Sequence, residues 1–525
     1  MPKKNQKANQ RNITLRGDGG VLISAPNGDV IQYDDSGLVF RLSDKVIRDI
    51  AQRLKALQPD HVTTARPDAE KKCDSQQQIL LKDAEILGDL DAWHVIQEGD
   101  WLMFQANLAD GNGPRGYRRP VGGGDVIADA PGAVLGMLSI GGPRRAVGVD
   151  GVNDFRYHIV APNDDIGSAG LAGSALAEIG TGFSNLREQT RDSLIAQAVL
   201  HGRFSANRAL PLIMVRCEVD QSVSADALAK GIAFDNFMVA AETLANVAKT
   251  MGKPPRILAV GLDYCIEDTT STGTKYRDGI YGLMRKIELG LGKLGYKKPC
   301  FVSLFECGGL KSDAGCHTQE QWELATNPAG FDLIYSAPGY MFEQTTYGRP
   351  TAAALGQMAE MDGYAIEACL EVPRNEEEIS AGVGQWCCPS FLLAEWDRSA
   401  KGKDTHTIRV TANALTGLII DQAPDFGNSE LAGFTLENVE NGARFVALRV
   451  CPDNPLDILL DCDIAPEGDN IRLHYACGQK AKSEDMDDQV GFPHNRGCVR
   501  DSWQADSADG RRLYRWALPC ILPVH

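Results

Sequence analysis

Residues 212–262 read LIMVRCEVDQSVSADALAKGIAFDNFMVAAETLANVAKTMGKPPRILAVGL, and the class of fold turns on them. Leu212–Arg216 is a short, nearly uninterrupted apolar run. Phe234, Phe237, Met238, Ala241, Leu244, Ala248 and Met251 then recur every three or four residues, the stripe of one long helix. Ile257–Leu262 is apolar throughout again. Strands that are apolar on both faces, joined by an amphipathic helix, belong to a parallel sheet covered on both sides.

Working outward, the same alternation continues. Tyr157–Ala161 predicts a strand and Ser193–Leu200 a helix. Beyond residue 262, Tyr276, Ile280, Leu283, Met284, Ile287 and Leu291 share one helical stripe. A strand at Phe301–Phe305, a helix at Gln319–Ala325, a strand at Phe331–Tyr335 and a helix at Ala352–Leu370 follow. The expectation is an α/β domain over 152–372, a doubly wound parallel sheet of about five strands.

The flanks read differently. Residues 13–42 alternate around turn signals (Gly17-Asp18-Gly19-Gly20, Asn27-Gly28, Asp34-Asp35-Ser36-Gly37), as hairpins do. A short helix is expected from Ser43 to Leu57, then a polar linker over 59–77. Residues 1–84 are read as an attachment or oligomerisation region, and 85–151 as a β-rich linker domain. From 373 to 525 short strands recur without helices, at Thr407–Thr411, Leu418–Asp421, Arg444–Val450, Ile458–Leu460 and Ile471–Tyr475, which predicts a β-sandwich module.

Composition narrows the function. With 53 basic and 70 acidic residues the net charge is −17, unlike a protein that tracks nucleic-acid phosphates, so no nucleic-acid partner is expected. No apolar run approaches the ~20 residues that span a bilayer, so no membrane insertion is expected. The basic start (Lys3, Lys4, Lys7, Arg11) precedes no apolar segment of a secretory signal. The 14 cysteines include no C-x-x-C pair, so neither a zinc site nor any cofactor is expected. Those thiols are read as buried small hydrophobes, or else as forming one or two bridges in an extracellular particle.

Ligands of open parallel sheets bind beyond the carboxyl ends of the strands. Those positions carry Asp164 and Asp165, then Asp220 and Gln221, then Asp263 and Tyr264, then Glu306, with Tyr340, Phe342 and Tyr347 after the last strand. The rim reads as rich in acids and aromatic rings and short of basic groups. Carboxylates accept hydrogen bonds from sugar hydroxyls and aromatic faces cover pyranose rings, so the rim suits a carbohydrate. Alternatives are a hard cation, or acids that only cap helices and solvate loops. His158 reads as a buried core group. His201 is expected after a helix end and His317 at a helix start.

With those residues in place, 152–372 resembles the SGNH (GDSL-like) hydrolases, in the carbohydrate-esterase and sialate O-acetylesterase-like branch common in phage-type particles. The family's strand followed by A-G-Q-S-N-x-x-G is similar to A-P-N-D-D-I-G at 161–167, which puts Asp164 where the nucleophilic serine stands. G-F-S-N-L-R-E (182–188) resembles its next loop. Val219-Asp220-Gln221-Ser222 resembles its oxyanion loop, and Gly261-Leu262-Asp263-Tyr264 its G-E-A-D-Y loop. Y-S-A-P-G-Y-M-F (335–342) resembles the approach to its last motif, where T-T-Y-G-R-P-T-A-A-A-L-G (345–356) carries neither aspartate nor histidine. Segments beyond 380, ending in N-R-G-C-V-R-D-S (495–502), resemble the β-module that trails such esterases.

The resemblance implies a flavodoxin-like SGNH fold. The departures imply a lapsed enzyme: Asp164 replaces the nucleophile, Asp220 the oxyanion glycine, and no histidine stands near Thr346–Thr351. A carboxylate at an oxyanion site repels the charge that site stabilises. The expected function is a spike or fibre of a phage-like particle or gene transfer agent that adheres to capsular or other surface polysaccharide. Other virion proteins would be its partners through the N-terminal region, and a homo-oligomer, often a trimer, is implied. Its setting would be a virion or extracellular particle assembled in the cytoplasm. The alternative is an active O-acetylesterase using Ser184, Ser222 or Ser168 with His317 or His201. A structural decoration protein is the third reading.

Overall fold

The computed structural model describes residues 92–525 apart from 152, 222–223, 311–316, 346–347, 372, 374, 377, 379–382, 398–405 and 479–489. Of the first 91 residues it describes only five strands. The chain divides into two compact units, Met1–Ser75 and Gln76–His525. In the first, Asn12–Leu15, Val21–Ser24, Val30–Asp34 and Gly37–Arg41 form a four-stranded antiparallel meander, as the turn signals require. The helix expected at 43–57 and the linker at 59–77 lie outside the described residues.

The second unit is a mixed α/β structure built on a seven-stranded sheet. Its strands are β1 (Val134–Gly141), β2 (Ile159–Pro162), β3 (Phe183–Asn185), β4 (Leu212–Val219), β5 (Pro255–Asp263), β6 (Phe301–Phe305) and β7 (Leu333–Pro338). They lie in the order β3-β2-β4-β1-β5-β6-β7. All neighbours are parallel except β3, which pairs antiparallel with β2.

The helices are α1 (Arg191–Ser205), α2 (Ile232–Thr250), α3 (Thr274–Lys293), α4 (Thr318–Thr326) and α5 (Ala352–Leu370). Met137, Ile213 and Val215 pack with Ile195, Val199 and Ile366 of α1 and α5. Val134, Leu138 and Met214 pack instead with Phe237 and Leu244 of α2 and with Leu283 of α3. Alternate residues of β1 and β4 thus meet helices on opposite faces of the sheet.

Two expectations need correction. The sheet has seven strands rather than about five. Its central strand is β1, from the segment assigned to the β-rich linker, so a boundary at 151/152 cuts through the sheet. The strand read as first, near Tyr157–Ala161, is the second, Ile159–Pro162. Several apolar runs could fill the middle of a parallel sheet, and only three-dimensional pairing shows which one does.

An antiparallel sheet of Ile79–Leu80, Ala92–Glu98, Trp101–Ala106, Arg115–Pro120 and Ile127–Ala128 precedes β1. After α5 the chain is β-rich. Ser390–Trp396, Thr407–Asn413, Asp457–Cys462 and Phe445–Val450 form one sheet; Phe434–Glu437, Arg472–Tyr475 and Cys520–Pro523 form another; Ile419–Ile420, Val499–Asp506 and Arg512–Trp516 form a third. Phe391 of the first packs edge-on against Phe434 and Tyr475 of the second, at 5.3 and 4.9 Å between ring centres. The 12 described cysteines are free thiols, most of them buried. Cys73 and Cys316 lie outside the described residues. Among the described residues no helix is long and apolar enough to cross a membrane.

Close packing at the end of β1 makes a sharp test. A Cβ on Gly141 would sit 2.4 Å from the backbone oxygen of Asp263 on the neighbouring strand, whereas one on exposed Gly282 of α3 meets nothing within 4 Å. Gly141→Ala is expected to destabilise by about 1–3 kcal/mol. Gly282→Ala should be neutral or stabilise by up to about 1 kcal/mol. Urea midpoints at constant m-value check both.

Candidate functional site

The carboxyl ends of β1, β5 and β6 meet where the strand order turns back on itself. The chain leaves β1 through Gly142 into a 3-10 turn, Pro143–Ala146, that projects Arg144 and Arg145. Proline at the head of the turn presets its backbone angle. Beyond β5 comes Glu267, beyond β6 comes Glu306, and Arg191 and Asp192 open α1.

These side chains form one network. Arg145 reaches Asp192 at 2.8 Å and is also paired with Asp263. Arg191 lies 2.8 Å from Asp263 and 2.7 Å from Asp362 of α5. Ser139 of β1 donates to Asp192. Asp263 further accepts from the Leu304 backbone N–H at 2.8 Å and from the Ser303 hydroxyl at 3.2 Å. Gly261 makes room for this: a Cβ there would sit 1.9 Å from Arg145 Nη2.

Nearer solvent, Arg144 bridges two carboxylates. Its Nε and Nη2 hold Glu267 at 2.9 and 3.3 Å, and Nη2 holds Glu306 at 2.7 Å. Glu306 also accepts the Ile266 backbone N–H at 2.9 Å. Arg144, Arg145, Arg191, Asp263, Glu267 and Glu306 line a cleft of about 60 Å³, with Phe342 and Gln344 among its other walls.

Burial sets the electrostatics. Desolvation alone would raise the Asp263 carboxyl, but the guanidiniums of Arg191 and Arg145 overcome it and bring the group down to about 2. For Glu306, burial pushes the carboxyl up, Arg144 opposes, and Glu267 and Asp263 push it further, to about 7. Burial also raises Asp362, against Arg191 and Arg145.

The anticipated rim is therefore divided. Asp263, Glu306 and Phe342 do meet at this cleft, although Asp263 is only 8% exposed and serves as an internal counter-ion. Asp164 lines a separate hollow of about 330 Å³ and is paired with Arg216. Asp165 is exposed, 3.2 Å from Arg187. Asp220 is half-buried and Gln221 exposed, at the end of β4. Tyr264 and Tyr340 are core residues, and the Tyr340 hydroxyl donates to the Ala517 carbonyl at 2.6 Å. Tyr347 lies outside the described residues.

The rim read as short of basic groups holds three arginines. Arg144 and Arg145 were missed because the strand before them was not recognised as part of the sheet. The available signal was the apolar run Val134–Gly141 closed by Gly-Pro. Arg191, Asp192 and Asp362 carried none, since they come from helices whose faces only the packing defines.

Among the described residues of this cleft none is an activated nucleophile; the Cys307 thiol in its lining is pushed up by burial. The turn after the central strand reads Gly141-Gly142-Pro143-Arg144-Arg145, without hydroxyl or thiol. His158 is buried just before β2, bonded to the Pro211 carbonyl at 3.1 Å and pushed down to about 4 by desolvation. His201 lies within α1 rather than after a helix end, 2.9 Å from Asp154. His317 precedes α4, contacts the Asp268 carbonyl at 3.1 Å and stacks on Tyr276 at 4.3 Å. Ser168 is buried and donates to Glu188 at 2.9 Å; Ser184 sits on β3; Ser222 lies outside the described residues. Asp268 accepts from the Ala225 and Ser271 backbone N–H groups at 3.1 and 2.9 Å. Among the described residues no group of three or more histidine, cysteine or acidic side chains could hold a metal ion.

No protein-family model and no curated protein matches the chain. Among solved structures, a carbohydrate acetylesterase from Xanthomonas citri is similar at a TM-score of 0.43 and 10% identity, covering 78% of this chain and 97% of its own. An overlay that loose transfers neither a residue nor an activity.

The network predicts its own fragility. Asp192→Asn keeps the shape but leaves Arg145 short of a counter-charge, which should cost about 3–5 kcal/mol in urea denaturation. Asp263 ionises more easily folded than unfolded. Its contribution of about 2 kcal/mol is therefore complete above the unfolded carboxylate range and lost as pH falls from about 5 towards 2. Stability measured against pH should decline across that window.

Proposed function

We propose that this protein recognises carbohydrate at the cleft after β1, β5 and β6, and does so without cleaving it. The observation that carries this reading is the mouth of the cleft itself. Arg144, Glu267 and Glu306 form a fixed row of planar donors and acceptors beside Phe342, with no nucleophile on the turn that faces them. Planar charged groups held by one another present hydrogen bonds in set directions, which suits the hydroxyls of a sugar ring.

Size refines the idea. Pockets that swallow drug-sized ligands run to ~300 Å³ or more, so a cleft of about 60 Å³ takes one edge or substituent of a sugar while the rest of the chain lies outside. That geometry fits a surface polysaccharide better than a free monosaccharide. The resemblance of the sequence to SGNH-type esterases of phage-like particles supports placing the protein on such a particle as a spike or fibre. There the N-terminal unit would join other virion proteins and the assembly would be homo-oligomeric.

The direct test is retention of the full-length chain on immobilised bacterial capsular polysaccharides, alongside a chromogenic acetyl-ester assay. Binding without turnover is the expected result. Arg144→Ala should weaken retention by about tenfold or more, since it removes a charged donor and unpairs two carboxylates. Ester turnover abolished by substituting Ser168, Ser184 or Ser222 would replace this reading with the esterase one.

A further inference from the structure

We propose that Glu306 is a proton-gated ligand contact of the cleft: as a carboxylate it accepts hydroxyl hydrogens from a bound sugar, and once protonated it releases them, so binding strengthens as pH rises through neutrality. The proposal rests on the carbohydrate reading of the same cleft and adds its regulation.

The main chain of Glu306 is held on both sides. Its backbone N–H donates to Gln321 Oε1 at 2.9 Å and its carbonyl accepts from Gln321 Nε2 at 3.1 Å, so α4 clamps the residue at both main-chain groups. The side chain is 6% exposed yet lines the cleft. One carboxylate oxygen takes Arg144 Nη2 and the other takes the Ile266 N–H. A carboxylate offers about four acceptor positions, and these two bonds take one on each oxygen. Protonation removes acceptor capacity and the charge that strengthens each bond.

The charges around it explain why a proton is welcome there. Arg144 faces it from the turn after β1, and that single guanidinium is shared with Glu267. Asp263 faces it from the end of β5. From β7 comes the buried Tyr335 phenol, which burial pushes up and which also feels Glu306; the adjacent Cys307 thiol is likewise pushed up by burial. Gln321 of α4 is neutral. Two carboxylates thus share one guanidinium, while the third, Asp263, is itself held by Arg145 and Arg191 in the same lining. Glu306 is the more buried of the pair and takes one guanidinium nitrogen where Glu267 takes two. Burial and its acidic neighbours place the Glu306 carboxyl at about 7.

Calorimetric binding of the full-length chain to a purified neutral capsular polysaccharide, from about pH 5.5 to 8.5, tests this. Affinity should rise at least about fivefold, as expected for replacing neutral by charge-assisted bonds, with a midpoint near 7. Glu306→Gln should bind weakly and equally across the range. Glu267→Gln should keep the dependence but move its midpoint to lower pH, a shift that a purely structural role would not produce. Carbon-13 NMR of the unliganded chain labelled at glutamate carboxyls should show a resonance titrating near neutrality that vanishes in Glu306→Gln.

Flat binding in the parent chain, or an unchanged profile in Glu306→Gln, overturns the gate and leaves carbohydrate binding standing. So does a Glu306 resonance that titrates below about pH 5, even if the variant folds poorly. Absence of binding to any capsular polysaccharide at any pH overturns the carbohydrate reading, and the gate with it.

Discussion

The guanidinium of Arg145, almost entirely removed from water, has Asp192 on one side and Asp263 on the other. A buried cation persists only where its counter-charges are fixed, because desolvation otherwise costs several kcal/mol. That requirement ties together four elements that are distant in sequence: the turn after β1, the start of α1, the end of β5 and, through Arg191 and Asp362, the middle of α5. Gly261 belongs to the same constraint, since any side chain there would occupy the guanidinium's place.

The polar cluster has an inner and an outer part with different tasks. Inside, Arg145, Arg191, Asp192, Asp263 and Asp362 neutralise one another and hold the strand ends in register. Outside, Arg144, Glu267 and Glu306 keep some contact with the cleft and some unused hydrogen-bonding capacity. Five carboxylates meet three guanidiniums across the whole cluster. The surplus of acid shows at Glu306 and Asp362, whose carboxyls burial and neighbouring acids push up, while Asp263 is brought down by its two guanidiniums. Arg145, Arg191 and Asp263 also line the cleft but are committed to one another, so the proposed ligand contacts fall to the other three.

The helices were well marked in the chain. The last, Ala352–Leu370, coincides with its apolar periodicity residue for residue, and α2 and α3 extend their expected stripes only at the ends. Strands β4 to β7 were legible as apolar runs for the same reason, burial on two faces. The site was legible in part: Asp263, Glu306 and Phe342 come from strand ends correctly placed. Asp164 was placed after a true strand, but that strand lies two positions away from the centre of the sheet, so its partner is Arg216 instead of the cleft.

What the amino-acid order determined alone is local: which segments are helices, which are doubly buried strands, and that acids cluster where strands end. These follow from periodicity, which a linear chain displays openly. Only the tertiary structure decided that Val134–Gly141 is the central strand, and hence that Arg144 and Arg145 stand beside those acids. The reason is physical. Strand order and the pairing of buried ions are set by contacts between residues far apart in the chain, from 47 positions for Arg145 and Asp192 to 171 for Arg191 and Asp362, and no spacing along the chain encodes which carboxylate a guanidinium will meet.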